Sequence, residues 1–370
     1  MHLSPPAARL AIAVESALTA ELTSRRAEVA AIDVRLVADV DRLIAYIASG
    51  GKRLRPQFLG AGWLAAAADP TCVIPGGVAK AAAALELIQA CALIHDDIID
   101  RSETRRGGPS LHRSVQKLHA DSGWSGDAAH FGVGSALLIG DLALAWADDL
   151  FCAALVELGW SAEAFGAWRS MRTEVLAGQL LDLRIAADES ADPQTAAADA
   201  TVVNRYKTAA YTVERPLHLG AALGAAGPAT IEALRRYGVA IGVAFQLRDD
   251  LLGVFGDPAV TGKPAGEDLI EGKRTVLLAL ARVALAAFPD QLSDLDGAIG
   301  TALLPAQVER LTRLIADTLA PAAIETQITA LLRDGLAALD AVDSRGVQLV
   351  AAAAAADLRV LALAATARQR

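Results

Sequence analysis

Apolar residues recur along almost the whole chain at intervals of three and four, the period of a helix with one buried face. No stretch alternates apolar and polar positions as a strand would, and no unit repeats at a fixed spacing. The pattern predicts helices over about 8–22, 26–48, 54–67, 74–100, 127–158, 161–187, 196–225, 229–254, 266–287, 305–318, 322–342 and 346–367. Turn chemistry separates them. Gly50 and Gly51 end the second helix, and Pro70 and Pro75 bracket a loop. DESADPQT (188–195), FGDPAVTGKPAGED (255–268) and FPDQLSDLDG (288–297) read as loops. The expected fold class is all-α, as a single domain across residues 1–370.

Composition sharpens this picture. Of the 370 residues 54% are hydrophobic, and Ala and Leu, both strong helix formers, dominate them. The net charge of −9 argues against a nucleic-acid partner, which calls for a basic face. It leaves room for small anionic substrates, because local basic clusters override a diffuse charge. Cys72, Cys91 and Cys152 show no paired or metal-binding spacing and read as reduced thiols of a cytoplasmic protein. The N-terminus lacks the basic and apolar segments of a signal peptide. The longest apolar stretch, 347–367, contains Asp357 and Arg359 and reads as a buried helix rather than a transmembrane segment.

The candidate chemistry begins at HDDIID (95–100). Asp96 and Asp100 share a helix face and Asp97 is turned away by about 100°. Like charges at a helix C-terminus repel each other and oppose the helix dipole, so cations should compensate them. Hard oxygen ligands on one turn suit Mg²⁺, which takes one or two carboxylates with phosphate oxygens and water. FQLRDD (245–250) repeats the arrangement with Asp249 and Asp250, and GQLLD (178–182) places Gln179 and Asp182 at helical spacing. Basic turns adjoin the acidic ones: Lys52, Arg53 and Arg55 in GGKRLRP (50–56), and Arg105 and Arg106 before Gly107 and Gly108. Lys207 lies in YKT (206–208), and Lys263 and Lys273 lie in or beside the 255–268 loop. Metals and fixed cations together are what a diphosphate requires. No Walker loop is present.

This ordered series resembles the trans-isoprenyl (polyprenyl) diphosphate synthases: GGKRLRP, DDIID with RR downstream, GD (140–141), GQLLD, YKT, FQLRDD, then GK and a distal Lys. The resemblance spans roughly 45–285, with variable N-terminal helices before it and C-terminal helices over 286–370. It implies an isoprenoid-synthase-type helical bundle around a deep central cavity, in a cytoplasmic homodimer. It implies Mg²⁺-dependent, head-to-tail condensation of isopentenyl diphosphate with dimethylallyl, geranyl or farnesyl diphosphate. Three Mg²⁺ ions are expected, with Mn²⁺ as a substitute, held by Asp96, Asp100, Asp182 and Asp249. Arg105, Lys207 and Lys263 are expected on the allylic diphosphate, and Lys52, Arg55, Gln89, Arg106 and Lys273 on isopentenyl diphosphate. Lys207, Thr208 and Gln246 would surround the allylic cation. His95 is expected to be structural.

One position departs from the family pattern: the second aspartate motif reads DDLLG, with Gly253 in place of its third Asp. Chain length is expected to depend on Ile88, Cys91 and Ala92. Cys91 and Ala92 are small where short-chain members carry an aromatic, so geranylgeranyl diphosphate is the expected product. Longer polyprenyl diphosphates, farnesyl diphosphate and a non-catalytic subunit of a heteromeric synthase are the alternatives.

Overall fold

A computed structural model describes residues 5–66, 73–188, 193–256 and 266–366. Two compact units emerge, one of residues 2–60 and 69–161 and one of 61–68 and 162–370. The predicted all-α class holds, and the only paired strands among the described residues are two residues long.

The N-terminal unit contains α1 (Pro5–Ile32), α2 (Val37–Ala48), the start of α3 (Leu54–Ala66), α4 (Gly76–Ile99), α5 (Leu111–Asp121) and α6 (Ala128–Leu158). Helix α4 is its centre, packed against α1, α2, α5 and α6. It is apolar on nearly every side, as a helix enclosed by others must be, and Val78, Ala81–Ala84, Leu85 and Leu87 are fully buried. Small residues let the backbones approach. A Cβ at Gly77 would press on the Ala154 carbonyl of α6 at 2.9 Å, and one at Gly140 would meet His95 Cδ2 at 2.7 Å. Helices α4 and α6 both have the length and hydropathy to cross a membrane. Most of α4 is buried inside its unit, whereas α6 leaves Phe131, Val133, Leu137 and Leu138 exposed.

The C-terminal unit contains α7 (Ala162–Ala187), α8 (Pro193–Val203), a π-helical segment (Asn204–Glu214), α9 (Arg215–Leu223) and α10 (Pro228–Phe255). After these come α11 (Glu267–Glu271), α12 (Val276–Leu285), α13 (Pro289–Ala298), α14 (Pro305–Ala316), α15 (Ala320–Ala338) and α16 (Ala352–Thr366). Helix α10 packs on the π segment and on α15. Gly238 and Gly242, one turn apart, admit the π segment: added Cβ atoms would lie 2.5 Å from Glu214 Cα and 2.6 Å from Ala209 Cα.

Several predicted boundaries move. The division expected near 23–25 is absent, because Arg25 bridges Glu21 at 2.7 Å and Glu28 at 2.9 Å and carries α1 through the polar stretch. The break falls at Asp33, whose carboxylate accepts from the Arg35 N–H at 2.9 Å. The helix expected over 196–225 contains the π segment, which shifts hydrogen bonding from i+4 to i+5. The helix over 266–287 is split by Gly272 in the left-handed region (φ 77°) and restarts where Thr275 caps Leu278 N–H. FPDQLSDLDG is a helix rather than a loop: Pro289 sits in its first turn, where its missing N–H costs nothing, and Leu295 is buried. The last helix starts at Ala352, after a turn in which Asp343 accepts from the N–H groups of Arg345 and Val347.

Gly242→Val is expected to lower stability by about 1–3 kcal/mol or more, since backbone must move to admit it. Gly134→Ala, at a half-buried position on α6 with nothing within 4 Å of the added carbon, is expected to raise it by about 1 kcal/mol. Urea midpoints of the two variants check both signs.

Candidate active site

In the N-terminal unit the site is built where α4 ends. Asp100 is the C-cap, its N–H bonded to the Asp96 carbonyl at 2.8 Å. Gln89, Ala92, Leu93, Asp96 and Asp100 are half-buried at spacings of three and four, a stripe along one face of the helix. Asp97 points elsewhere and is fully buried. Arg105 Nε donates to its Oδ1 at 2.7 Å and Nη2 donates to the same oxygen, while Tyr46 Oη donates to Oδ2 at 3.5 Å. Arg105 also lies 3.8 Å from Asp96. Burial alone would lower the Arg105 pKa, and the bonds and charge of Asp97 more than reverse it. Burial, with Asp97 next, pushes the Tyr46 phenol up, so it stays protonated and donates.

The arginine pair is delivered by a hairpin. Thr104–Arg105 pairs with Gly108–Pro109, and Arg106 (φ 54°) and Gly107 (φ 78°) form the two-residue turn. Two positive φ values match the twist of the flanking strands. Arg105 thus reaches Asp97 while Arg106 turns toward the other basic loop, donating to the Tyr46 carbonyl at 3.4 Å and Ser49 Oγ at 3.3 Å. Its guanidinium also lies over the Tyr46 ring, 6.0 Å from the centroid. Gly51 (φ 135°) makes room for it, since a Cβ there would stand 3.2 Å from Arg106 Nη2. The GGKRLRP turn and Arg106 are therefore neighbours. Lys52 is exposed and Arg55 half-buried at the start of α3. Arg53, between them, is tied inward to Glu86 at 2.5 Å and Glu15 at 2.9 Å.

His95 is bound into the helix packing. Its Nε2 lies 3.2 Å from the Leu137 carbonyl and 3.6 Å from Asp141, and its Nδ1 lies 3.7 Å from Cys91 Sγ. Burial and Asp141 push the Cys91 thiol up to about 12. Of the three residues expected to set chain length, Ile88 and Cys91 are buried and Ala92 lies on the half-buried stripe.

In the C-terminal unit α7, the π segment and α10 carry the second set. Gly178 opens the way: a Cβ there would meet Lys207 Cα at 2.8 Å, so α7 and the π segment touch backbone to backbone. Lys207 Nζ then reaches Asp182 Oδ2 at 2.6 Å, and Thr208 beside it is half-buried. On α10 Asp249 is exposed and Asp250 buried. Gln246 Nε2 donates to Asp250 Oδ1 at 2.7 Å and Asn204 Nδ2 to Oδ2 at 3.4 Å. Burial, followed by the nearby charge of Asp268, pushes the Asp250 carboxyl up to about 8. Lys273 pairs with Glu271 at 2.7 Å and lies 3.7 Å from Asp268. Lys263 lies outside the described residues.

Among the described residues no three Asp, Glu, His or Cys side chains form a cage for a metal by themselves. Mg²⁺ usually needs no such cage when phosphate oxygens and water complete its shell. Asp96 and Asp100 in one unit, and Asp182 and the exposed Asp249 in the other, offer hard oxygens in the right small number, so the donors fit this ion. Sequence reasoning did not single out Tyr46, the Asp97–Arg105 pair or Asp268. Tyr46 had no motif to mark it, and Asp268, beside Glu267 at the end of the 255–268 stretch, read as loop polarity.

Comparisons with known proteins agree with this chemistry. The polyprenyl synthetase family model matches residues 37–315. A crystal structure of geranylgeranyl pyrophosphate synthase from Corynebacterium glutamicum, complexed with isoprenyl diphosphate and magnesium, is 44% identical. That match covers 98% of this chain and 99% of that one, with a TM-score of 0.88. A short chain isoprenyl diphosphate synthase of Methanothermobacter thermautotrophicus is 33% identical, over 64% of this chain and 64% of its own length. A geranylfarnesyl diphosphate synthase of Aeropyrum pernix is 36% identical, over 64% of this chain and 67% of its own.

Metal-free protein should show the raised Asp250 pKa as a pH slope. The folded state keeps this proton up to about pH 8, whereas the unfolded chain loses it near 3.8. Between those values the folded state binds more protons, so this group's contribution to stability falls as pH rises. In EDTA, urea midpoints of wild type are expected to decline more between about pH 5 and about pH 8, the greater part of that window, than those of Asp250→Asn.

Proposed function

The chain belongs to the polyprenyl synthetase family, as a trans-isoprenyl diphosphate synthase, and we propose that it joins isopentenyl diphosphate head-to-tail to an allylic diphosphate, with all-E geranylgeranyl diphosphate as main product. The observation that carries this reading is the pairing of two of the three acidic clusters with fixed cations, Arg105 beside Asp96 and Asp97, and Lys207 on Asp182. Such pairs are the protein's own version of metal and diphosphate.

Asp96, Asp100, Asp182 and Asp249 would hold the Mg²⁺ ions, three in all, with Mn²⁺ as a substitute. Bound Mg²⁺ neutralises the diphosphate and favours departure of its oxygen from the allylic carbon. Arg105, Lys207 and Lys263 bind the allylic diphosphate and stabilise the charge that grows on it as the C–O bond breaks. Lys52, Arg55, Gln89, Arg106 and Lys273 bind isopentenyl diphosphate. Thr208 and Gln246 face the allylic cation, and apolar helix surfaces keep water from it. The double bond of isopentenyl diphosphate supplies the electrons of the new C–C bond, and the released diphosphate accepts the proton. No side chain need act as a nucleophile or as a base.

We take the whole chain as one catalytic polyprenyl synthase domain, working in the cytoplasm. The exposed apolar residues of α6 favour a homodimer over a membrane anchor, because a second copy would cover them. The chain-length reading rests on Cys91 and Ala92, two small residues one turn before Asp96. The structural relative named a geranylgeranyl pyrophosphate synthase adds to it.

Purified protein given isopentenyl diphosphate and each allylic primer is expected to yield a Mg²⁺-dependent series of prenyl diphosphates by mass spectrometry, ending mainly at geranylgeranyl. No elongation by folded protein with any primer would sink the proposal. Ala92→Phe is expected to shift the main product down by one isoprene unit, since one turn rises about 5.4 Å, the reach of one such unit. An unchanged product would remove Ala92 from chain-length control.

A further inference from the structure

Residues 204–214 hold an uncommon conformation where the site depends on it. Hydrogen bonding runs from i to i+5 over 11 residues, whereas most π-helical segments are single turns inside an α-helix. Lys207 and Thr208 lie in its first half. Helix α7 docks the segment at three points spaced four residues apart, on one face. Glu174 accepts from Arg215 Nε at 2.8 Å, Gly178 meets the Lys207 backbone, and Asp182 accepts from Lys207 Nζ at 2.6 Å. On the other side Gly238 and Gly242 of α10 admit the backbones of Glu214 and Ala209.

Glu214 closes the segment, and its side chain is fully buried. Arg205, at the opposite end, lies 2.5 Å from its Oε2, and Arg235 of α10 donates to Oε1 at 3.0 Å. Arg205 also lies over the Tyr206 ring, 5.3 Å from the centroid. Along a regular α-helix the step from 205 to 214 makes about two and a half turns, which puts the two side chains on opposite faces. The wider turns of the π segment bring them together, so this ion pair belongs to that register and opposes the α-helical one. A buried ion pair adds little stability over well-packed apolar side chains, and fixing a register is its best-attested use.

We infer that Glu214 is a positioning residue: by joining Arg205 to Arg235 it holds the π register, and that register sets where Lys207 and Thr208 stand against Asp182. Relaxed to i→i+4 bonding, the segment would turn Lys207 and Thr208 about its axis while Arg215 stays on Glu174. The inference rests on the proposed function above, in which Lys207 binds the allylic diphosphate and Thr208 faces the allylic cation. It concerns one of the two substrates, since the residues assigned to isopentenyl diphosphate all lie outside the segment.

The test is steady-state kinetics of the full chain with MgCl₂, varying geranyl diphosphate and isopentenyl diphosphate in turn. Arg205→Met removes the charge and keeps an unbranched side chain beside Tyr206, while Arg235 still answers Glu214. It is expected to raise the KM for geranyl diphosphate by about 10–100-fold, the affinity carried by one hydrogen bond to a charged group. The KM for isopentenyl diphosphate is expected to stay at the wild-type value. Arg205→Lys, which restores the charge, is expected to recover most of the loss. Glu214→Gln is expected to give the same split between substrates, and combining it with Arg205→Met is expected to add little, because both break one contact. Folded Arg205→Met with wild-type KM values for both substrates would overturn the inference. So would equal rises in the two KM values, or a rise that Arg205→Lys leaves in place. Wild type that elongates no primer would instead overturn the proposed function itself.

Discussion

Compensation of buried and clustered negative charge is the constraint around which this structure is arranged. A carboxylate withdrawn from water must find a cation, accept hydrogen bonds or keep its proton. The chain uses each answer. Asp97 is answered by the Arg105 guanidinium and the Tyr46 hydroxyl, and the ion pair anchors the hairpin to the end of α4. Glu214, fully buried at the end of the π segment, is met by Arg205 at 2.5 Å and Arg235 at 3.0 Å. Asp250 takes the other route, holding its proton between Gln246 and Asn204. Removing one partner of such a pair strands the other, so these contacts specify geometry more than they add stability.

Glycine supplies the second half of the design. Several of the helices that bear the charged groups approach one another closely where a Cβ is missing. Gly178 seats Lys207, Gly140 seats His95, Gly51 seats Arg106, and Gly242 seats the π segment. In the sequence these residues looked like parts of motifs. In the structure they are the absences that set where the charges land.

The all-α class, the helix-ending role of Gly50 and Gly51 and the placement of both aspartate motifs at helix ends were legible from periodicity and local turn chemistry. What escaped had nonlocal causes. Ion pairs of Arg25 carried α1 across a polar stretch that looked like a break, and Pro289 opened a helix where it read as loop. The i+5 bonding of 204–214 leaves no mark in an apolar pattern that fits either helix. At the site, the aspartates and arginines were visible as types and spacings. That Asp97 rather than Asp96 would engage Arg105 most closely was not, because it depends on how the hairpin folds back on α4. Asp268 was invisible for the same reason, being a neighbour in space and a stranger in sequence.

The contact between Lys207 and Asp182 gives the resting protein a simple logic. A cation arriving alone at Asp182 would strip Lys207 of this partner. An anion arriving alone at Lys207 would do the same to Asp182. Only a cation and an anion arriving together can replace the pair charge for charge. On the proposed reading, a ligand that carries both charges would therefore be favoured at this contact over either ion alone.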